Sequence, residues 1–188
     1  MTNRKFWLGM AVMALVFGFV LTGCPTEGEA WSDVTDLSQL NGTWKGSYKQ
    51  TMNMKQAAES MGMDWDSSLE AMFGNDMKVT TTLELIYIID STARTQASTM
   101  KQIVVFSGSK VDDVWPMIGA FIGSALGGDV DDKKHSITIT DTQPATVMPD
   151  EYAAEMLSAL QINENGNKVK IPANALGEGF PEMIMTRQ

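Results

Sequence analysis

Val79, Thr81, Leu83, Leu85, Tyr87 and Ile89 alternate along this chain with Thr80, Thr82, Glu84, Ile86 and Ile88. Alternation at period two among β-branched and aromatic residues fits a long extended strand and no helix. A turn over residues 91–93 follows, and residues 95–106, ending in Ile103, Val104, Val105 and Phe106, read as a second long strand paired back on the first. A hairpin of this length leaves few choices, because it is the building unit of an antiparallel barrel or curved sheet.

The rest of the chain extends that reading. Trp44, Gly46 and Tyr48 share one face of a first strand that opens near Leu40, with Thr43, Lys45 and Ser47 on the other face. Residues 136–140, 145–148, 157–163, 168–171 and 182–187 are further short strands, the third and fourth joined across Asn165 and Gly166, a type I′ hairpin signal. Residues 150–156 suit a short linking helix.

Two segments have helical spacing instead. Met54, Ala57, Ala58, Met61, Trp65, Leu69, Met72 and Phe73 recur every three or four residues, with Gly62 able to divide the helix and Asp64 able to cap its second piece. Residues 114–126 are apolar nearly all round, with Asp112 and Asp113 ahead, Pro116 in the first turn, and Gly127 and Gly128 as the stop. The expected fold class is mainly β: an antiparallel meander forming a barrel or partly open barrel, with two inserted amphipathic or apolar helices.

The N-terminus speaks to location. Arg4 and Lys5 precede an uncharged apolar run over residues 6–20, the charged and hydrophobic regions of a secretory signal. Leu21-Thr22-Gly23-Cys24 follows, and Cys24 is the single cysteine of the chain. These four residues resemble the lipobox of bacterial lipoproteins. The resemblance implies a diacylglyceryl group on the Cys24 sulfur, cleavage before that residue, and an acyl anchor in a membrane without a span. The apolar run is short for a bilayer-crossing helix of about 20 residues. On this reading residues 1–23 are signal peptide, 24–40 a lipidated and flexible tether rich in acids, and 41–188 the folded domain. Pro25 after the cysteine points to the outer membrane or cell surface of a bacterial envelope rather than to the inner membrane.

Removing residues 1–23 leaves 165 residues with a formal net charge of −11. That length suits one domain with a sizeable core. An acidic balance of this size opposes nucleic acid as a partner, since phosphates require a basic footprint. It also opposes electrostatic adhesion to anionic lipid.

Gly42-Thr43-Trp44 at the start of the first strand, the antiparallel meander and the closing Met185-Thr186-Arg187 together resemble the lipocalin-like, or calycin-like, small barrels, in particular bacterial lipoproteins with such a domain. In that family the tryptophan packs under an arginine of the last strand at the closed barrel end. Trp44 and Arg187 are the matching residues here. Two helices stand where the family has short turns, so the resemblance implies an incomplete or helix-plugged barrel.

Catalytic chemistry has little to draw on in this sequence. The one histidine, His135, sits in a polar turn and reads as a surface residue, while Asp64, Asp66, Asp131 and Asp132 suit caps and turns. Met52, Met54, Met61, Met63, Met183 and Met185 form thioether pairs of a kind that can bind Cu(I), but methionine more commonly fills irregular apolar space. No cofactor is called for. The expected function is non-enzymatic binding of a lipid or other small apolar ligand in a barrel pocket. Pocket candidates are Trp44, Tyr48, Leu83, Leu85, Tyr87 and Phe106, with Trp115 and Phe121 on the second helix, which is either a plain core helix or a plug or lid over an apolar cavity. The alternative is a structural lipoprotein with a self-filled barrel that meets another protein at the cell envelope.

Overall fold

In the computed structural model the described residues are 29–60, 64–173 and 182–188. Nine strands form one sheet in the order β1-β7-β8-β9-β2-β3-β4-β6-β5. In chain order they are β1 (Trp31–Asp33), β2 (Gly42–Asn53), β3 (Lys78–Asp90), β4 (Thr95–Ser107), β5 (Asp129–Asp131), β6 (Ser136–Val147), β7 (Gln161–Asn163), β8 (Lys168–Ile171) and β9 (Met183–Arg187). The helices are α1 (Met54–Ser60), α2 (Ser67–Phe73), α3 (Val111–Leu126) and α4 (Asp150–Ala159). The sheet is antiparallel and is not closed into a barrel, so of the two expected forms it is the open one. Its edges are the three-residue strands β1 and β5.

Several boundaries differ from expectation, each for a local reason. Residues 29–40 are built into the fold rather than serving as tether. Trp31 pairs with Asn163 across β1 and β7, and the Lys170 ammonium lies 4.6 Å from the Trp31 ring centroid. Asp36 and Gln39 then form a reciprocal capping box on a 3₁₀ turn over Leu37–Leu40. The first helical segment is two separate helices, and the cap of the second is Asp66, whose carboxylate accepts from the backbone N–H groups of Ser68 and Leu69 at 2.9 Å. Helix α3 starts at Val111, so Asp112 and Asp113 lie in its first turn and Pro116 lies inside it. Strand β6 is continuous through Pro144. That is tolerated because β5 pairs with β6 only as far as Thr138, and the residues beyond have an open edge where no N–H is required. Helix α4 runs to Ala159, taking residues 157–159 out of the expected strand.

By packing, the chain divides into two units. The described part of the first is Lys49–Leu83 and Lys101–Thr140. Its core joins Met54 of α1 and Phe73 of α2 to Val79, Val104 and Phe106 of the sheet and to Val111, Val114, Trp115 and Ile118 of α3. Met77 and Ile137 are wholly buried among them. Gly108, at φ +146°, brings its backbone so close to Met77 that a Cβ there would lie 2.8 Å from the Met77 Cα.

The second unit is the described part of Val20–Tyr48, Glu84–Met100 and Asp141–Gln188. It buries Val34, Leu40, Trp44, Leu85, Ile89, Met148, Ile162, Val169, Ile171, Met183 and Met185. The alternation within β3, β8 and β9 sends every second residue into this core.

Candidate functional site

The second unit contains an apolar hollow, and its floor is Trp44. Gly42, at φ +121°, lets the chain leave the 3₁₀ turn and enter β2 at an angle open to few other residues. Trp44 follows two residues later at 2% exposure, its Nε1 donating to the Leu40 carbonyl at 2.6 Å. Across the ladder Trp44 pairs with Arg187 of β9, whose guanidinium carbon lies 4.6 Å from the indole centroid. Arg187 Nη2 also donates to the Gln39 carbonyl at 2.6 Å. The cation stacks on the ring face and is held there by a charge-assisted hydrogen bond.

Leu40, Ile89, Val169, Ile171 and Met185 line the hollow with Trp44, and so do Tyr152, Met156 and Leu160. Spacing explains who is present. Val169 and Ile171 are two apart on a strand, while Tyr152, Met156 and Leu160 descend one face of α4 and its C-cap at intervals of four. The hollow is partly open, and its free volume is about 50 Å³. That is well under the roughly 150 Å³ that accommodates benzene in an apolar protein interior. A ligand larger than a few atoms therefore requires the Met156 and Leu160 side chains to swing aside, which flexible methionine allows.

The rim carries the polar groups. Tyr87 Oη donates to Gln96 Oε1, and the Tyr87 and Tyr152 hydroxyls are 3.2 Å apart. Burial, reinforced by the hydrogen bond and charge of Tyr152, pushes the Tyr87 hydroxyl pKa well above its ordinary value. Arg94, at the end of the β3–β4 turn, pairs with Asp150 in the first turn of α4.

Of the residues expected to line a pocket, Trp44 and Tyr87 do so. Leu85 is buried in the same unit, and Tyr48 is half-buried there, but neither reaches the hollow. Leu83, Phe106, Trp115 and Phe121 belong to the first unit. Phe106 and Trp115 face each other in its core at 6.1 Å, and Trp115 Nε1 donates to Asp132 at 2.8 Å. Of the expected alternatives for helix α3, a core helix or a plug or lid, it is the core helix. Phe121, at 39% exposure, faces outward.

The element that covers a hollow is α4, read from sequence only as a short link. The expected helix stopped at Met156, which hid the spacing that places Leu160 beside Tyr152 and Met156. Leu40, Ile89, Val169, Ile171 and Met185 were also missed as lining residues. Leu40 lies on the 3₁₀ turn and the other four on strands, and nothing local in the sequence shows which cavity they face.

His135 is not the free surface residue expected. Its side chain is 22% exposed, its Nε2 lies 2.9 Å from Asp112 and its ring meets the Trp115 ring edge-on at 5.4 Å. Asp131 caps its own turn by accepting from the N–H groups of Lys133 and Lys134. Met54 is buried in the first unit, and Met183 and Met185 in the second. Cys24, Met61 and Met63 lie outside the described residues. Among the described residues no helix is long and apolar enough to cross a membrane. Comparison with protein-family models, with curated proteins and with solved structures gives no match.

Proposed function

We propose that this protein is a bacterial envelope lipoprotein, acylated at Cys24 and held at the outer membrane or cell surface, whose lipocalin-like β domain binds a small apolar ligand without transforming it. The observation that carries the reading is the apolar hollow in the second unit, floored by Trp44 beneath Arg187. A concave apolar site with a few polar groups at its edge is the ordinary form of a small-molecule site. The Trp44–Arg187 stack is the contact that the lipocalin-like resemblance implies, and it supports that kinship. The anchor reading rests on the lipobox, since several acyl chains hold stably where one holds marginally.

Two measurements on the full chain test the proposal. Intact mass of the membrane fraction should exceed that of the bare polypeptide by the acyl groups, and Cys24→Ala should leave the unprocessed precursor. A wild-type mass equal to the bare polypeptide would remove the anchor. An apolar fluorescent probe or fatty acid should bind the full chain at one saturable site and be displaced by lipid. A folded protein with no such site would shift the assignment to the second reading, a structural lipoprotein that meets another protein. That reading is favoured by the packed core of the first unit and by the exposure of Met117 and Phe121 on α3.

A further inference from the structure

The rim of the hollow has a direction. A tyrosine hydroxyl has one proton to give, and Tyr87 gives its proton to Gln96 Oε1. The proton between the two tyrosine oxygens, 3.2 Å apart, therefore belongs to Tyr152. The relay runs from Tyr152 to Tyr87 to Gln96, and its open end is the lone pairs of Tyr152 Oη, on a side chain 37% exposed. Both tyrosines line the hollow, whose surface is almost entirely carbon.

We infer that the hollow selects apolar molecules headed by a neutral hydrogen-bond donor, a hydroxyl or an amide N–H, received by Tyr152 Oη. This rests on the ligand-binding reading of the same site. A ketone or ester head brings only acceptors against an acceptor, leaving both unpaired at a partly desolvated rim, which costs affinity. A carboxylate fares worse. Asp150 and Glu151 put negative charge in the first turn of α4, the helix that carries Tyr152, and Asp150 engages the Arg94 cation. Burial, with the hydrogen bond and charge of Tyr152 behind it, disfavours an anion at Tyr87 as well.

The test is a matched six-carbon series, 1-hexanol, 2-hexanone and hexanoate, titrated into the full chain at neutral pH. One neutral hydrogen bond is worth roughly three- to tenfold in affinity, so 1-hexanol should bind tighter than the other two by about that factor. Tyr152→Phe keeps the ring and removes the acceptor, and should bring 1-hexanol down to the level of 2-hexanone. Tyr87→Phe frees the Tyr152 proton, and should raise 2-hexanone to the level of 1-hexanol. Equal binding of the three by the wild type, or a hexanol preference that survives Tyr152→Phe, overturns the donor-head inference while the hollow stands as a ligand site. If none of the three binds, the inference falls, and the saturable-probe measurement then decides the ligand reading separately. The wild-type ranking alone is decisive if either variant fails to fold.

Discussion

Deleting the Trp44 indole would remove three things together: a buried aromatic, the hydrogen bond to the Leu40 carbonyl and the ring beneath Arg187. Trp44→Ala should therefore cost about 3–5 kcal/mol in chemical unfolding, the usual range for truncating a buried large aromatic. Trp44→Phe keeps most of the apolar area, and its loss should be nearer 1–2 kcal/mol, the sum of one hydrogen bond and a weaker cation–π contact. A loss under about 1 kcal/mol for the alanine variant would mean that the ring is not buried as described. Tyr87 predicts behaviour at the opposite end of the pH scale. Its folded pKa is raised above the ordinary 10.0, so the folded state keeps a proton that the unfolded chain releases. Its contribution to stability is complete below pH 10 and declines as pH rises further, through the folded value. Denaturation midpoints from pH 9 upward should fall more steeply for the wild type than for Tyr87→Phe; parallel curves would contradict the shift.

Among the elements, the close approaches of glycine backbones discriminate rigid from yielding neighbours. A Cβ on Gly108 would strike the Met77 backbone at 2.8 Å in a conformation that L side chains avoid. A Cβ on Gly46 would meet the Met183 sulfur at 2.7 Å, the far part of a flexible side chain. Gly108→Ala should then lose about 1–3 kcal/mol or more, and Gly46→Ala distinctly less, as read from urea unfolding of the two variants. The reverse order would show that the β2–β9 contact is the stiffer one. Strands β3 and β4 were legible in sequence almost to the residue, because the long period-two run of β3 fits no helix and the β-rich run after the turn had to pair back on it. The Trp44–Arg187 pair was legible as well, through its place at the two ends of a recognisable pattern. The cover of the hollow was not. Helix α4 continues through Leu157, Ser158 and Ala159, residues expected in the next strand, and its apolar face is matched by strands that no local rule assigns to it. The role of α3 stayed open in sequence for the same reason: it is apolar nearly all round, and periodicity cannot distinguish a buried helix from a cover.

For the whole molecule, acid should be more damaging than the modest size of its ion pairs suggests. The carboxyls of Asp36, Asp76 and Asp131 are all held below the ordinary 3.8, chiefly by hydrogen bonds from Ser38, Ser109 and Lys134 respectively. A depressed folded pKa gives stability that is present above the unfolded value and lost as pH falls through the folded one. Unfolding midpoints should hold from neutral pH to about 5 and drop below pH 4, and Asp76→Asn should flatten that drop; an unchanged slope would exclude Asp76 as a contributor. The place of β9 in the sheet has a different consequence, for the order of assembly. β2, β3 and β4 are neighbours in both sequence and sheet, and β7 and β8 likewise, but only β9 joins the two groups. Its Arg187 reaches back across 148 residues to Gln39. Contacts of such separation form slowly. Until β9 inserts, a growing chain presents two unpaired strand edges, on β2 and β8, of the kind that recruit other chains. The strand that seats the arginine over the tryptophan is therefore also the one whose late arrival sets how long the nascent chain needs protection from its neighbours.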